Sequence, residues 1–102
     1  MRRVNPVNLF KSLNIPIGYY VNPRPGQVPF MVYYGTGSTN LDADNIVYDS
    51  VQNWNIELYT NKKNIELEDK IEKILNENEV VWEKGPEIYI SDDRVFMIPY
   101  YI

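Results

Sequence analysis

The stretch Asn45-Ile-Val-Tyr-Asp-Ser-Val-Gln-Asn-Trp-Asn-Ile-Glu-Leu-Tyr-Thr60, continued by Asn61-Lys-Lys-Asn-Ile-Glu-Leu-Glu-Asp-Lys-Ile-Glu-Lys-Ile-Leu75, decides the fold. In its first half Trp54, Ile56 and Leu58 alternate with Asn53, Asn55, Glu57 and Tyr59. A period of two is the mark of a half-buried strand. After Asn61 the period changes, and Leu67, Ile71, Ile74 and Leu75 form one stripe of a helix. Asn64 can cap that helix by accepting from a first-turn amide that has no intrahelical partner. Glu66, Glu68 and Asp69 fall near the positive end of its dipole. Strand, polar turn and amphipathic helix over about residues 64–78 should supply most of the core, with Trp54, Ile56 and Leu58 against Leu67, Ile71 and Ile74.

Outward from this unit the chain reads as short elements. Asn5 and Pro6 start a helix over 5–13, Asn5 as cap and Pro6 at the first helical position, with Val7, Phe10 and Leu13 as its buried stripe. Ile15 to Val21 reads as a strand that Pro16 confines to a sheet edge or to the strand's first turn. Asn22-Pro-Arg-Pro-Gly-Gln is turn chemistry. Val28 to Gly35 is almost wholly apolar and reads as a central strand covered on both faces. Thr36 to Asn45 has no hydrophobic period and reads as a long loop, of the kind that is often functional or mobile. Residues 79–83, 87–91 and 95–102 read as strands, the last two joined by a tight turn at Ser91-Asp-Asp-Arg. The fold class is α+β: a small mixed, mainly antiparallel sheet with a short N-terminal helix and one longer helix packed on it.

Composition narrows the function. The 102 residues make one domain, and 44% hydrophobic residues are enough for a core. The absence of Cys excludes disulfides, thiolate metal sites and cysteine catalysis. With no His, the usual general base and the commonest transition-metal ligand are missing. A net charge of −4, with Arg2, Arg3, Lys11 and Arg24 scattered, argues against a nucleic-acid stripe. No apolar run approaches the roughly 20 residues of a membrane helix. The start, Met-Arg-Arg-Val-Asn-Pro, has no apolar signal core behind it, so secretion is not expected.

The constellations that invite chemistry have plainer readings. Gly35-Thr-Gly-Ser-Thr-Asn follows a strand but lacks the Lys and the helix start of a phosphate loop. Asp42, Asp44 and Asp49 lack the Gly and bidentate Glu of a calcium loop. Asp49 and Glu57 share a strand's polar alternation, where nothing raises a pKa for paired-carboxylate hydrolysis. No catalytic residue, cofactor site or metal site is therefore expected. The doublets Tyr19-Tyr20, Tyr33-Tyr34 and Tyr100-Tyr101 differ, because strand neighbours point to opposite faces. Each doublet should send one ring inward and one outward, and outward tyrosines favour protein interfaces.

The order of elements then becomes familiar. Ile-Pro-Ile-Gly-Tyr-Tyr leads to Pro29-Phe-Met-Val-Tyr-Tyr-Gly35, then to Asp42-Ala-Asp-Asn-Ile-Val-Tyr48 and Trp54-Asn-Ile-Glu-Leu-Tyr-Thr-Asn-Lys-Lys63, which enters the acidic helix. Over nearly its whole length the chain resembles the tail completion (tail terminator) proteins of long, non-contractile-tailed phages and prophages of Gram-positive hosts. Met1-Arg-Arg and the Arg24-Pro-Gly turn depart from that pattern.

The resemblance implies a structural virion protein of the tail and neck, assembled in the host cytoplasm. Such proteins form a ring, usually hexameric, at the head-proximal end of the tail tube. The ring ends tube growth and meets the head–tail connector, and genomic DNA passes through it without specific binding. The implied partners are copies of the chain, the tail tube protein and the connector or stopper, with no membrane involved. An alternative is another head–tail joining component, and a small non-viral interaction domain is more remote. For the subunit contacts, the loop with Leu41 as apolar anchor and with Asp42 and Asp44 is one expected patch. The outward rings among Tyr33, Tyr34, Tyr100 and Tyr101 are the other.

Overall fold

The computed structural model describes residues 4–43 and 46–102. Helix α1, Pro6–Leu9, runs into a 3-10 turn at Lys11–Leu13. Strands β1 (Ile17–Tyr19), β2 (Phe30–Ala43) and β3 (Ile46–Thr60) come next, then helix α2 (Ile65–Glu77). Strands β4 (Glu83–Lys84), β5 (Ile88–Ile90) and β6 (Val95–Tyr101) complete the order. The sheet reads β1-β2-β3-β6-β4, with β5 also paired to β6. Only β1 against β2 is parallel, so the architecture is the expected mixed, mainly antiparallel α+β sheet. β1 lies at the edge, as Pro16 requires, with Pro16 supplying only a carbonyl to the Met31 amide at 2.8 Å.

Both helix starts follow from their caps. Asn5 Oδ1 accepts from the amides of Val7 and Asn8, and Asn64 Oδ1 accepts from the Leu67 amide at 3.1 Å. Because Asn14 adopts a left-handed conformation (φ 56°) before Ile15-Pro16, the N-terminal helical segment stops there. Register puts Met31 opposite Leu58, Leu58 opposite Ile98 and Ile56 opposite Tyr100, so these side chains share one face. Leu67, Ile71 and Leu75 of α2 and Phe10 close over that face, and all of these residues are buried. The expected core is borne out at Ile56, Leu58, Leu67 and Ile71; Trp54 and Ile74 pack on its margin, only partly buried. Val7 is a correction: it is exposed, because α1 is a single turn and rests on Pro6 and Phe10 instead.

The larger correction concerns residues 36–45. There is no loop over most of this range, because β2 continues to Ala43 and pairs with β3 out to Ala43–Ile46. β1 and β6 cover β2 and β3 only as far as Tyr19–Tyr33 and Asn55–Tyr101. Beyond them β2 and β3 leave the body as a two-stranded ribbon. From Thr36 to Asn40 every residue is exposed, so no face selects apolar residues and the sequence carries no strand period there. The strand also shifts register at Gly35/Gly37, where Gly37 sits at φ 101°, a bulge that glycine accommodates. The Cα radius of gyration is 14.9 Å, against about 13 Å for a typical domain of this length. The 50 Å long axis accounts for the difference.

Candidate interaction surfaces

Three arrangements of side chains stand out, and the first is the ribbon. Its strands are tied by polar bonds across the ladder. Gln52 Nε2 donates to the Gly37 carbonyl at 2.9 Å, and Asn53 Nδ2 donates to Thr39 Oγ1 at 2.9 Å. The last bonds between β3 and the β6 end join Trp54 and Ile102, each amide donating to the other's carbonyl. By alternation the next amide and carbonyl aimed at that edge belong to Gln52, beyond the reach of β6. Among the described residues no third strand pairs with the ribbon, and open sheet edges are templates for strand addition. From Thr36 to Asn53 the sequence has three Asp and no Lys or Arg, so the ribbon is acidic. At its base a cleft of about 570 Å³ lies between Val51, the turn after α2 at Glu79–Val81, and Ile102.

The second arrangement is the sheet face that α2 leaves uncovered. It carries Tyr20, Phe30, Val32, Tyr34, Asn55, Glu57, Tyr59, Met97, Pro99 and Tyr101 by strand alternation. Tyr34 stacks on Tyr20 with ring centres 5.0 Å apart, and Phe30 on Tyr59 at 4.6 Å. In their midst Glu57 is partly buried. Tyr59 Oη donates to Glu57 Oε1 at 2.8 Å, Tyr34 Oη to Glu57 Oε2 at 3.2 Å, and Asn55 Nδ2 to Tyr34 Oη at 2.7 Å. Burial, and then the bond to Glu57, hold the Tyr59 hydroxyl well above the ordinary tyrosine range, so it stays a donor.

The third is an ionic cluster under α2. Lys84 Nζ lies 2.7 Å from Glu68 Oε1 and 2.9 Å from Glu72 Oε2; Lys63 Nζ lies 2.9 Å from Glu68 Oε2 and 3.1 Å from Glu87 Oε1. Tyr100 Oη donates to Glu72 Oε2 at 2.8 Å. Burial would push the Glu68 carboxyl up, but the bonds from Lys84 and Lys63 outweigh it and hold the group below the usual range. The Tyr100 hydroxyl is raised by burial and by its bond to Glu72. This cluster fastens the short β4 to α2; every charge in it has an opposite partner, and its chemistry is structural.

Two of the three tyrosine doublets divide as alternation requires; Tyr19 and Tyr20 are both exposed, because Tyr20 lies past the end of β1 at φ 67°. Tyr34 and Tyr101 stand on the uncovered face. Tyr33 turns to the helix side, edge-on to Tyr19 and Trp54 at 5.3 and 5.6 Å, and Tyr100 is wholly buried. Tyr33 and Tyr100 are therefore not outward rings. Leu41 and Asp42 fall in the ribbon; their side chains, like all of Asp44 and the side chain of Asp49, lie outside the described residues. Among the described residues no cluster of His, Cys, Asp or Glu could hold a metal ion. Nor, among these residues, is any helix long and apolar enough to cross a membrane. Sequence reasoning read Glu68 only as an acid near the positive end of the helix dipole, although it stands three residues before Ile71 and seven before Leu75, on the buried stripe. It also treated Glu57 as one more solvated acid, since hydrogen bonds between strands leave no mark in a single strand's pattern.

No protein-family model matches the chain, and no curated protein matches it.

Proposed function

We propose that the protein is a structural component of a phage neck. It would form a ring at the head-proximal end of the tail tube, end tube polymerisation and join the tail to the head connector. The ribbon is the observation that carries this reading. A ring closed by head-to-tail contacts uses two different patches on every subunit. A projecting ribbon that has no third strand beside it among the described residues is suited to reach a neighbour and be completed by it. Its acidity suits a channel for DNA, because like charges keep the passing strand from adhering. The strand entering an acidic helix, Glu57-Leu-Tyr-Thr60 through Lys62-Lys63 to Glu66, adds the sequence resemblance. A stopper or adaptor of the same neck is the second reading, since it would use the same kind of ring.

Deleting the gene in the phage or prophage that encodes it, with electron microscopy of the lysate, separates these roles. Overlong tail tubes with unattached heads are expected for a terminator. Tails of normal length beside unattached heads would assign the joining role instead. Normal infectious particles would exclude the neck altogether.

A further inference from the structure

We propose that the uncovered face of the sheet docks a partner protein through an arginine, whose guanidinium seats on the Glu57 carboxylate beside Tyr34 and Tyr59. The inference goes beyond the neck reading and does not depend on it. It starts from what the face lacks. β2, β3 and β6 place aromatic and apolar residues and Asn55 around Glu57, and no Lys or Arg on that side. Among the described residues the ion pairs involve Lys63, Lys73 and Lys84, all with other carboxylates. Among the described residues Glu57 thus has only neutral donors, the hydroxyls of Tyr34 and Tyr59. A carboxylate offers about four acceptor positions, so two bonds leave it with unused capacity.

That geometry selects the occupant. Covering Glu57 with an apolar surface would strip water from a charge that has no counter-ion, which is strongly unfavourable. A partner that brings a cation turns the same burial into an attraction. Arginine suits the place better than lysine, because its planar fork bonds carboxylates in pairs, stacks on aromatic rings and is more weakly hydrated. A second copy docking the same face symmetrically would set two Glu57 side chains toward each other, and like charges disfavour that contact. Nucleic acid is disfavoured by its own negative charge. The surrounding Tyr20, Ile88 and Tyr101 are exposed and supply aromatic and apolar area of the kind that protein contacts use.

The test is a nuclear magnetic resonance titration of the full chain with N-acetyl-arginine amide, and in parallel with its neutral isostere N-acetyl-citrulline amide. Saturable shifts confined to Tyr34, Asn55, Glu57 and Tyr59 are expected for the arginine compound, with a dissociation constant on the order of 1–10 mM. Citrulline should bind at least about tenfold more weakly, and Glu57→Gln should bring arginine down to the citrulline level. Equal binding of the two compounds, shifts scattered over the surface, or no saturation would overturn the proposal. So would light scattering that shows a wild-type dimer together with slowed amide exchange across this face.

Discussion

The body of the sheet and the ribbon that leaves it are built from the same two strands, β2 and β3, and differ in almost everything else. From Phe30 to Tyr34, β2 is apolar, flanked by β1 and β3, and covered by α2 on one side. From Thr36 to Asn40 the same strand is Thr, Gly, Ser, Thr and Asn, all exposed. Backbone pairing is common to both halves; burial belongs to one. Net stability comes mainly from apolar burial, since a hydrogen bond largely replaces one made to water. The body should therefore hold the fold, while the ribbon is retained for what it can contact.

Substitutions in the two regions should separate them sharply. Ile71→Ala, in the fully buried stripe of α2, should cost about 2–5 kcal/mol by chemical denaturation, a large share of a small domain's stability. An unchanged denaturation midpoint would break the account of the core. Glu68→Gln should cost less, about 1–3 kcal/mol, because it leaves Lys84 and Lys63 without their shared partner but both lysines reach water. The same carboxylate sets a pH dependence. Its folded-state pKa lies below the unfolded value, so its contribution is complete above the ordinary carboxylate range and fades as pH falls through the folded value. Wild type should lose stability on acidification more steeply than Glu68→Gln, and parallel pH profiles would contradict the pairing.

On the uncovered face, Tyr59→Phe removes one bond to Glu57 and should cost about 1 kcal/mol. The smallest effect belongs to the ribbon. Replacing residues 39–51 by an Asn-Gly turn, which bridges the Ser38–Gln52 pair, should change unfolding free energy by less than about 1 kcal/mol. The shortened protein should nonetheless fail to rescue a gene deletion. A large loss of stability would mean that the ribbon is part of the core; full rescue would mean that it is not the contact.

What could be read from the sequence follows the same division. Where a strand buries one face, alternation showed it, as at Trp54, Ile56 and Leu58. The change of period after Asn61 likewise placed α2 to within a residue at each end of 64–78. Caps at Asn5 and Asn64 were legible because their chemistry is local. The first strand of the ribbon was hidden because Thr36 to Asn40 are all exposed, so nothing selects apolar residues at every second position there. Long-range pairing hid the Glu57 arrangement, which joins Tyr34 to a carboxylate 23 positions later and exists only once β2 and β3 are in register. The doublets Tyr33-Tyr34 and Tyr100-Tyr101 fall between these cases: alternation gave one ring inward and one outward, but only the position of α2 says which is which.

The claim that the ribbon is an assembly arm is tested most directly by amide hydrogen exchange, residue by residue, on the free protein and on assembled tails. Amides aimed at the open edge, that of Gln52 among them, should exchange rapidly in the free chain, while those of Met31, Ile56 and Leu58 are protected in both states. Assembly should slow the edge amides of 36–43 and 46–53 and leave the body unchanged. Equal protection of the ribbon before and after assembly would contradict the account.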